Sequence, residues 1–174
     1  METSHFYSGF SLQNEKELFK EYLHTNSYEV AGFSYGAIKA FNFAINSKLR
    51  IDTLTLLSPA FFQDKDKRFK RLQLLSFKKD RQNYTKNFLK NCAYPCNKDL
   101  SSYLKEGSYE ELDELLNFTW DENLLKELNK RSVNIEVHLG ALDKIIDAKK
   151  AYEFFKPYAT IYYYKNKGHI LCKP

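Results

Sequence analysis

Apolar residues recur along this chain with two periods, and the switches between them outline its elements. Residues 4–7 read as a short strand ending in Ser8-Gly9-Phe10, and apolar positions 18, 19, 22 and 23 form the stripe of an amphipathic helix over 13–23. Asn14 is its expected N-cap, with Glu15 and Glu17 in the first turn, where the helix dipole favours acids. Residues 27–31 read as a short buried strand, Ile38, Phe41, Ala44 and Ile45 recur at helical spacing, and 51–57 alternates until Ser58-Pro59 stops it. Strand, helix, strand, helix, strand predicts a parallel sheet with helical crossovers.

From 61 to 120 the strand signal is absent, and helices are expected around 69–77, 84–92 and 109–118, separated by Pro95 and Gly107. Alternation returns at 134–139, followed by a helix over about 145–155 and a last strand over 159–164. The pattern is that of an α/β protein: one domain over 1–174, with a mostly parallel sheet and a helical cap inserted at about 61–130.

Composition narrows this picture. With 174 residues, 43% hydrophobic and 16% aromatic, the chain can bury a core, which excludes disordered and fibrous classes. No apolar run approaches the ~20 residues that span a bilayer, and Met-Glu-Thr-Ser-His lacks the basic-then-apolar start of a signal peptide. A soluble, cytoplasmic protein without a membrane partner is expected. Cys92, Cys96 and Cys172 are odd in number and lack a disulfide-framework pattern, so free thiols in a reducing compartment are expected. No second Cys/His pair accompanies Cys92 and Cys96, so no metal is expected, and no cofactor either. The net charge of +5 is uneven: residues 64–90 hold ten Lys/Arg against three Asp, a local +7, whereas 106–127 hold eight carboxylates and one lysine. That asymmetry points to an acidic partner meeting the basic segment.

The chemistry starts at Gly32-Phe33-Ser34-Tyr35-Gly36, a G-x-S-x-G run between a strand and a helix. A bare run of this kind arises by chance in many chains, but here both flanks suit a nucleophile elbow, in which glycines let a strand turn sharply into a helix and push the serine out. A serine nucleophile needs a base and a group to orient that base. Asp143 follows the 134–139 strand and His169 follows the 159–164 strand, 26 residues later, which leaves room for one crossover helix and one strand. Strand ends are where parallel sheets assemble their sites. Asp147 reads as a first-turn residue of a helix, His138 falls within a strand, His5 and His24 precede the elbow, and Ser58 reads as a strand-end residue near the rim. The backbone N–H of Tyr35, after the nucleophile, is the first expected oxyanion donor, and that of Phe10 in the Gly9 turn is the second.

Taken together, Phe6-Tyr-Ser-Gly-Phe-Ser-Leu12, Gly32-Phe-Ser-Tyr-Gly-Ala-Ile-Lys-Ala40, Leu57-Ser-Pro59, Phe69-Lys-Arg-Leu-Gln-Leu74, Lys105-Glu-Gly-Ser108 and the Asp143 and His169 loops resemble one group. That group is the α/β-hydrolase esterases acting on pimeloyl-[acyl-carrier protein] methyl ester in biotin synthesis, in their short BioV type. The resemblance implies a small α/β-hydrolase fold with about five strands. It implies Ser34 as nucleophile, His169 as base and later acid, Asp143 as its orienter, and Phe10 and Tyr35 as oxyanion donors. It also implies acyl carrier protein as the partner, and carrier proteins are acidic, so Arg68, Lys70, Arg71, Lys78, Lys79 and Arg81 are expected to steer docking. Phe69, Leu72, Leu75 and Phe77 either line a channel for the acyl chain or are plain core. Two other readings stay open: another small carboxylesterase or acyl thioesterase with the same triad, and a non-enzymatic binder of acidic partners. Nucleic acid is not expected, because no recognised motif accompanies the basic segment.

Overall fold

The computed structural model describes residues 5–25 and 28–174. Ser4 and Ser27, the outer ends of two expected strands, lie outside the described residues. Five strands, β1 (His5–Tyr7), β2 (Glu29–Phe33), β3 (Thr53–Leu57), β4 (Asn134–Gly140) and β5 (Thr160–Tyr164), pair in that order and all in parallel. The helices are α1 (Tyr35–Asn46), α2 (Lys67–Lys79), α3 (Arg81–Ala93), α4 (Tyr109–Asn117), α5 (Glu122–Lys130) and α6 (Ala148–Phe155).

Period-two alternation assigns each strand residue to a face. Val30, Leu54, Leu56, Val137 and Leu139 form one core with Ile38 and Phe41 of α1, Leu125 and Leu128 of α5 and Phe155 of α6. On the other face Phe33 and Leu57 pack with Phe19, Tyr22, Ile170 and Leu171. That face also carries Glu29, Thr55, Glu136 and His138, all buried. Their polar groups pair locally: Thr55 Oγ1 donates to Glu29 Oε1 at 2.6 Å, and His24 Nε2 lies 2.8 Å from Glu136 Oε2.

The helix expected over 13–23 is instead a 3₁₀ segment, Glu15–Tyr22. Asn14 has φ 61° and its side chain makes no capping bond, so a regular α-helical start is missing. Elsewhere caps define the starts: Asp66, Asp80, Asp121 and Asp147 each accept a backbone N–H of the first turn, and Ser108 with Glu111 forms a capping box on α4.

Between β3 and β4 the chain forms α2, then α3 and α4, each packed on α2, and then α5, which returns to α1 and β4. The stretch before α4 lies along the turn after β1: Leu12 and Leu104 form an antiparallel bridge, and Lys105 N–H donates to Ser11 O at 3.0 Å. No helix among the described residues is long and apolar enough to cross a membrane.

The cysteines depart from expectation. Cys96 is joined to Cys172 in a disulfide, and Cys92 is free and buried. The segment carrying Cys172 folds back on the end of α3, where Ile170 N–H donates to Cys92 O at 3.3 Å. Residues 76 apart in sequence thus reach bonding distance, which spacing alone does not reveal. With that pair formed, the cysteines no longer argue for a reducing compartment.

Candidate active site

Ser34 occupies the single position between β2 and α1, with φ 54° and ψ −113°. Such a backbone is strained for a residue with a side chain and persists only where its surroundings hold it. The two motif glycines allow it by close approach. A Cβ on Gly32 would lie 2.1 Å from Gly36 O, and one on Gly36 would lie 1.9 Å from Tyr7 O, so both positions exclude any larger residue. Ser34 N–H donates to Leu57 O at 2.9 Å, which ties the elbow to the end of β3.

His169 reaches the elbow from the segment after β5 and is wholly buried. Its Nε2 lies 2.9 Å from Ser34 Oγ, and its Nδ1 lies 2.6 Å from Asp143 Oδ2. A carboxylate only accepts, so the Nδ1 proton points at Asp143 and Nε2 is left to take the serine proton. The other oxygen, Asp143 Oδ1, accepts the N–H groups of Ile145 and Ile146 at 2.7 and 3.0 Å. Both carboxylate oxygens are therefore held, and the imidazole cannot turn without breaking these bonds.

Ser58, read from sequence as a strand-end residue near the rim, has a more definite position. It is fully buried, with φ 41°, and its hydroxyl donates to His169 O at 2.6 Å. No sequence signal distinguishes it from an ordinary strand-ending serine. Asp147 caps α6 and His138 lies under the sheet, its Nδ1 2.9 Å from Tyr164 OH. Burial pushes the His138 pKa down to about 4. Burial also raises the Cys92 thiol well above its ordinary value, with Asp143 adding to the effect, so Cys92 is no rival nucleophile.

Tyr35 is the first residue of α1, where backbone N–H groups have no acceptor within the helix. Its hydroxyl donates to Glu114 Oε2 of α4 at 2.5 Å, and burial raises its pKa. Phe10 sits in a turn closed by Leu12 N–H donating to Gly9 O at 3.2 Å, with Ser11 at φ 58°. The Phe10 ring is buried against Phe77 and Phe88.

A cleft of about 670 Å³ lies among α2, α3, α4 and the loop after Asp143, with Phe62, Phe69, Tyr84, Phe88, Leu112 and Ile145 in its wall. Phe69 is thus one of the expected channel residues that lines a cavity. Phe77 is core, packed on Phe10 and Tyr84. Leu72 and Leu75 correct the expectation: they are 51% and 50% exposed, because α2 turns Phe69 and Gln73 to the cleft and Leu72 and Leu75 to the outside. Aromatic content could not identify Phe62, Leu112 and Ile145, which come from three separate segments.

The six expected docking residues all lie on or just after α2. Lys70, Arg71 and Lys78 border a shallow outer groove with Leu74, Leu75 and Tyr109, and Lys78 sits over the Tyr109 ring at 4.5 Å. Lys79 lines the inner cleft, Arg68 is exposed, and Arg81 pairs with Glu106 at 2.7 Å.

No protein-family model and no curated protein sequence matches the chain. Solved structures do. A lipase-esterase related protein from Clostridium acetobutylicum superposes with a TM-score of 0.67 at 13% identity, covering 96% of this chain and 86% of that one. BioG from Haemophilus influenzae superposes with a TM-score of 0.62 at 10% identity, covering 97% and 88%. The fold is that of the α/β-hydrolases. An esterase from Exiguobacterium antarcticum shares it with a TM-score of 0.60 and 19% identity over 80% of this chain, which spans only 58% of that esterase. At such identities the likeness concerns the α/β-hydrolase fold alone.

Proposed function

We propose that the chain is a carboxylesterase in which Ser34, His169 and Asp143 act as nucleophile, base and orienter. The observation that carries this reading is the unbroken line from Asp143 Oδ2 through His169 to Ser34 Oγ, at 2.6 and 2.9 Å, in a buried site on a strained elbow. As Ser34 Oγ attacks the ester carbonyl, His169 Nε2 takes its proton, and the oxyanion is met by the N–H groups of Tyr35 and Phe10. His169 then gives the proton to the departing alkoxide. Water repeats the sequence on the acyl-enzyme, with the acid as product and Ser34 restored.

The substrate we assign is the methyl ester of pimeloyl-[acyl-carrier protein], with methanol as leaving group and biotin synthesis as the pathway. It is supported by the sequence resemblance, by the cleft beside the Asp143 loop, whose wall sets Phe62, Phe69, Phe88 and Leu112 beside polar residues such as Gln73 and Asn87, and by the cationic face of α2, which suits an acidic carrier protein. The helical segment at about 61–130 is accordingly read as the cap of a single domain, and the cytoplasm as its compartment. Fluorophosphonate labelling with peptide mapping tests the nucleophile: modification at Ser34 supports it, and modification elsewhere removes it. Comparing methyl pimeloyl-carrier protein with simple acyl esters and acyl thioesters tests the substrate. A strong preference for the simple compounds would leave a serine hydrolase of different specificity.

A further inference from the structure

Glu15 is wholly buried, and its Oε1 accepts the Gly9 N–H at 2.7 Å. Its Oε2 is buried with no hydrogen-bond partner among the described residues. A buried carboxylate held by one neutral donor is a costly arrangement, and an apolar side chain of similar volume would stabilise the fold more. What Glu15 does hold is the Ser8–Gly9 peptide, one peptide ahead of the one that carries the Phe10 N–H. We propose that Glu15 is a positioning residue for the oxyanion hole, setting the direction of the Phe10 N–H through its bond to Gly9; this rests on the esterase reading above.

The geometry follows from peptide planarity. Phe10 N–H and Gly9 C=O belong to one trans peptide and point in opposite directions. The Gly9 carbonyl accepts Leu12 N–H, which orients that plane, and Glu15 fixes the preceding plane through Gly9 N–H. On the far side Lys105 N–H donates to Ser11 O and Gln13 N–H to Tyr103 O at 2.8 Å. Among the described residues, Glu15 makes the one side-chain bond to the backbone of 8–11, and Phe10 N–H has no acceptor. Space is tight as well: a Cβ on Gly9 would lie 2.8 Å from the Phe33 ring, so this turn has little room to re-form elsewhere. Two locked planes leave the Phe10 N–H as a free donor of fixed direction. Without Glu15, Gly9 N–H is a buried donor without an acceptor, and the Ser8–Gly9 plane that fixes the approach to Phe10 N–H loses its one side-chain anchor among the described residues.

The test compares Glu15→Met, which keeps the volume and removes the acceptor, with Glu15→Gln, whose amide oxygen can still accept from Gly9. Hydrolysis of one short ester is measured with the Gly9 amide exchange rate. Glu15→Met is expected to lower kcat by about tenfold to a hundredfold, less than the roughly 10²–10³ lost when an oxyanion donor is removed outright. KM for the same ester stays unchanged, and Glu15→Gln retains kcat and a protected Gly9 amide. A folded Glu15→Met with full kcat, or a Glu15→Gln as slow as Glu15→Met, overturns the proposal. If Glu15→Met does not fold, Glu15→Gln decides: full kcat with an unprotected Gly9 amide overturns it, and full kcat with protection upholds it. Wild-type protein that hydrolyses no ester, or a Ser34→Ala variant that still does, would instead defeat the esterase reading.

Discussion

Two imidazoles are buried in this protein, and their surroundings differ in every respect that matters for proton transfer. His169 lies at the elbow with a carboxylate on Nδ1 and a hydroxyl on Nε2. His138 lies beneath the sheet between the rings of Tyr22 and Tyr162, with a phenol on Nδ1 and, among the described residues, no partner on a buried Nε2. Burial turns an imidazole into a poor base, as His138 shows: burial, helped by the charges of His24 and Lys167 and opposed by Glu136, takes it down to about 4. Pairing one nitrogen with a fixed carboxylate supports the cation that forms when the other takes a proton. The same residue type thus bridges a carboxylate and a serine hydroxyl at one site and is packed among tyrosine rings at the other.

The largest expected effect separates the two directly. Ser34→Ala or His169→Ala is expected to lower kcat by about 10⁶, as when a member of a serine triad is removed, whereas His138→Phe keeps kcat within severalfold; steady-state ester hydrolysis measures both. Next, Asp143→Asn is expected to cost about 10⁴ in kcat, because the amide favours the wrong tautomer of His169. Recovery of the rate at high pH would show that orientation matters less than charge.

A pH effect comes third. His138 has a lowered folded pKa, so between about 6.5 and about 4 the unfolded chain binds a proton that the folded one refuses. Stability therefore falls as pH falls through that window, by about 3 kcal/mol at most. His24 works in the opposite direction: the hydrogen bond to Glu136 raises its folded pKa, and the stability it adds is present at low pH and lost as pH rises through that value. Its side chain is 42% exposed, so its share is smaller. His138→Phe should flatten the acid limb of thermal stability between pH 6.5 and pH 4 without touching turnover. The smallest effect is expected of Tyr164→Phe. It strips the only hydrogen-bond partner of the His138 ring among the described residues, costing about 1–3 kcal/mol in a denaturant titration while esterase activity is retained.

Much of the site was legible because its parts follow local rules. The elbow needs glycines on both sides of a serine, and Gly32 and Gly36 meet backbone atoms at distances no Cβ tolerates. Asp143 and His169 were located by counting strands, since parallel strands deliver their ends to one side. The helix over 13–23 misled, because an amphipathic stripe does not distinguish an α-helix from a 3₁₀ segment. Leu72 and Leu75 misled for a related reason: an apolar residue on a helix does not announce which side the cleft lies on.

The sequence by itself determined the parallel sheet and the placing of Ser34, Asp143 and His169 at its strand ends, since these rest on periodicity and on the steric needs of one turn, but not α5 or the 3₁₀ form of 15–22. Only the tertiary structure decided what lies across space from what: the 2.9 Å approach of His169 to Ser34, the Ser58 bond to the His169 carbonyl, the Cys96–Cys172 pair and the reach of Glu15 to Gly9. The physical reason is that periodicity reports which side of an element is buried, whereas such contacts depend on how separate segments are set against each other. The strained elbow at Ser34 belongs to both: its glycines are written in the chain, and the packing of β1 and β3 around it holds the strain in place.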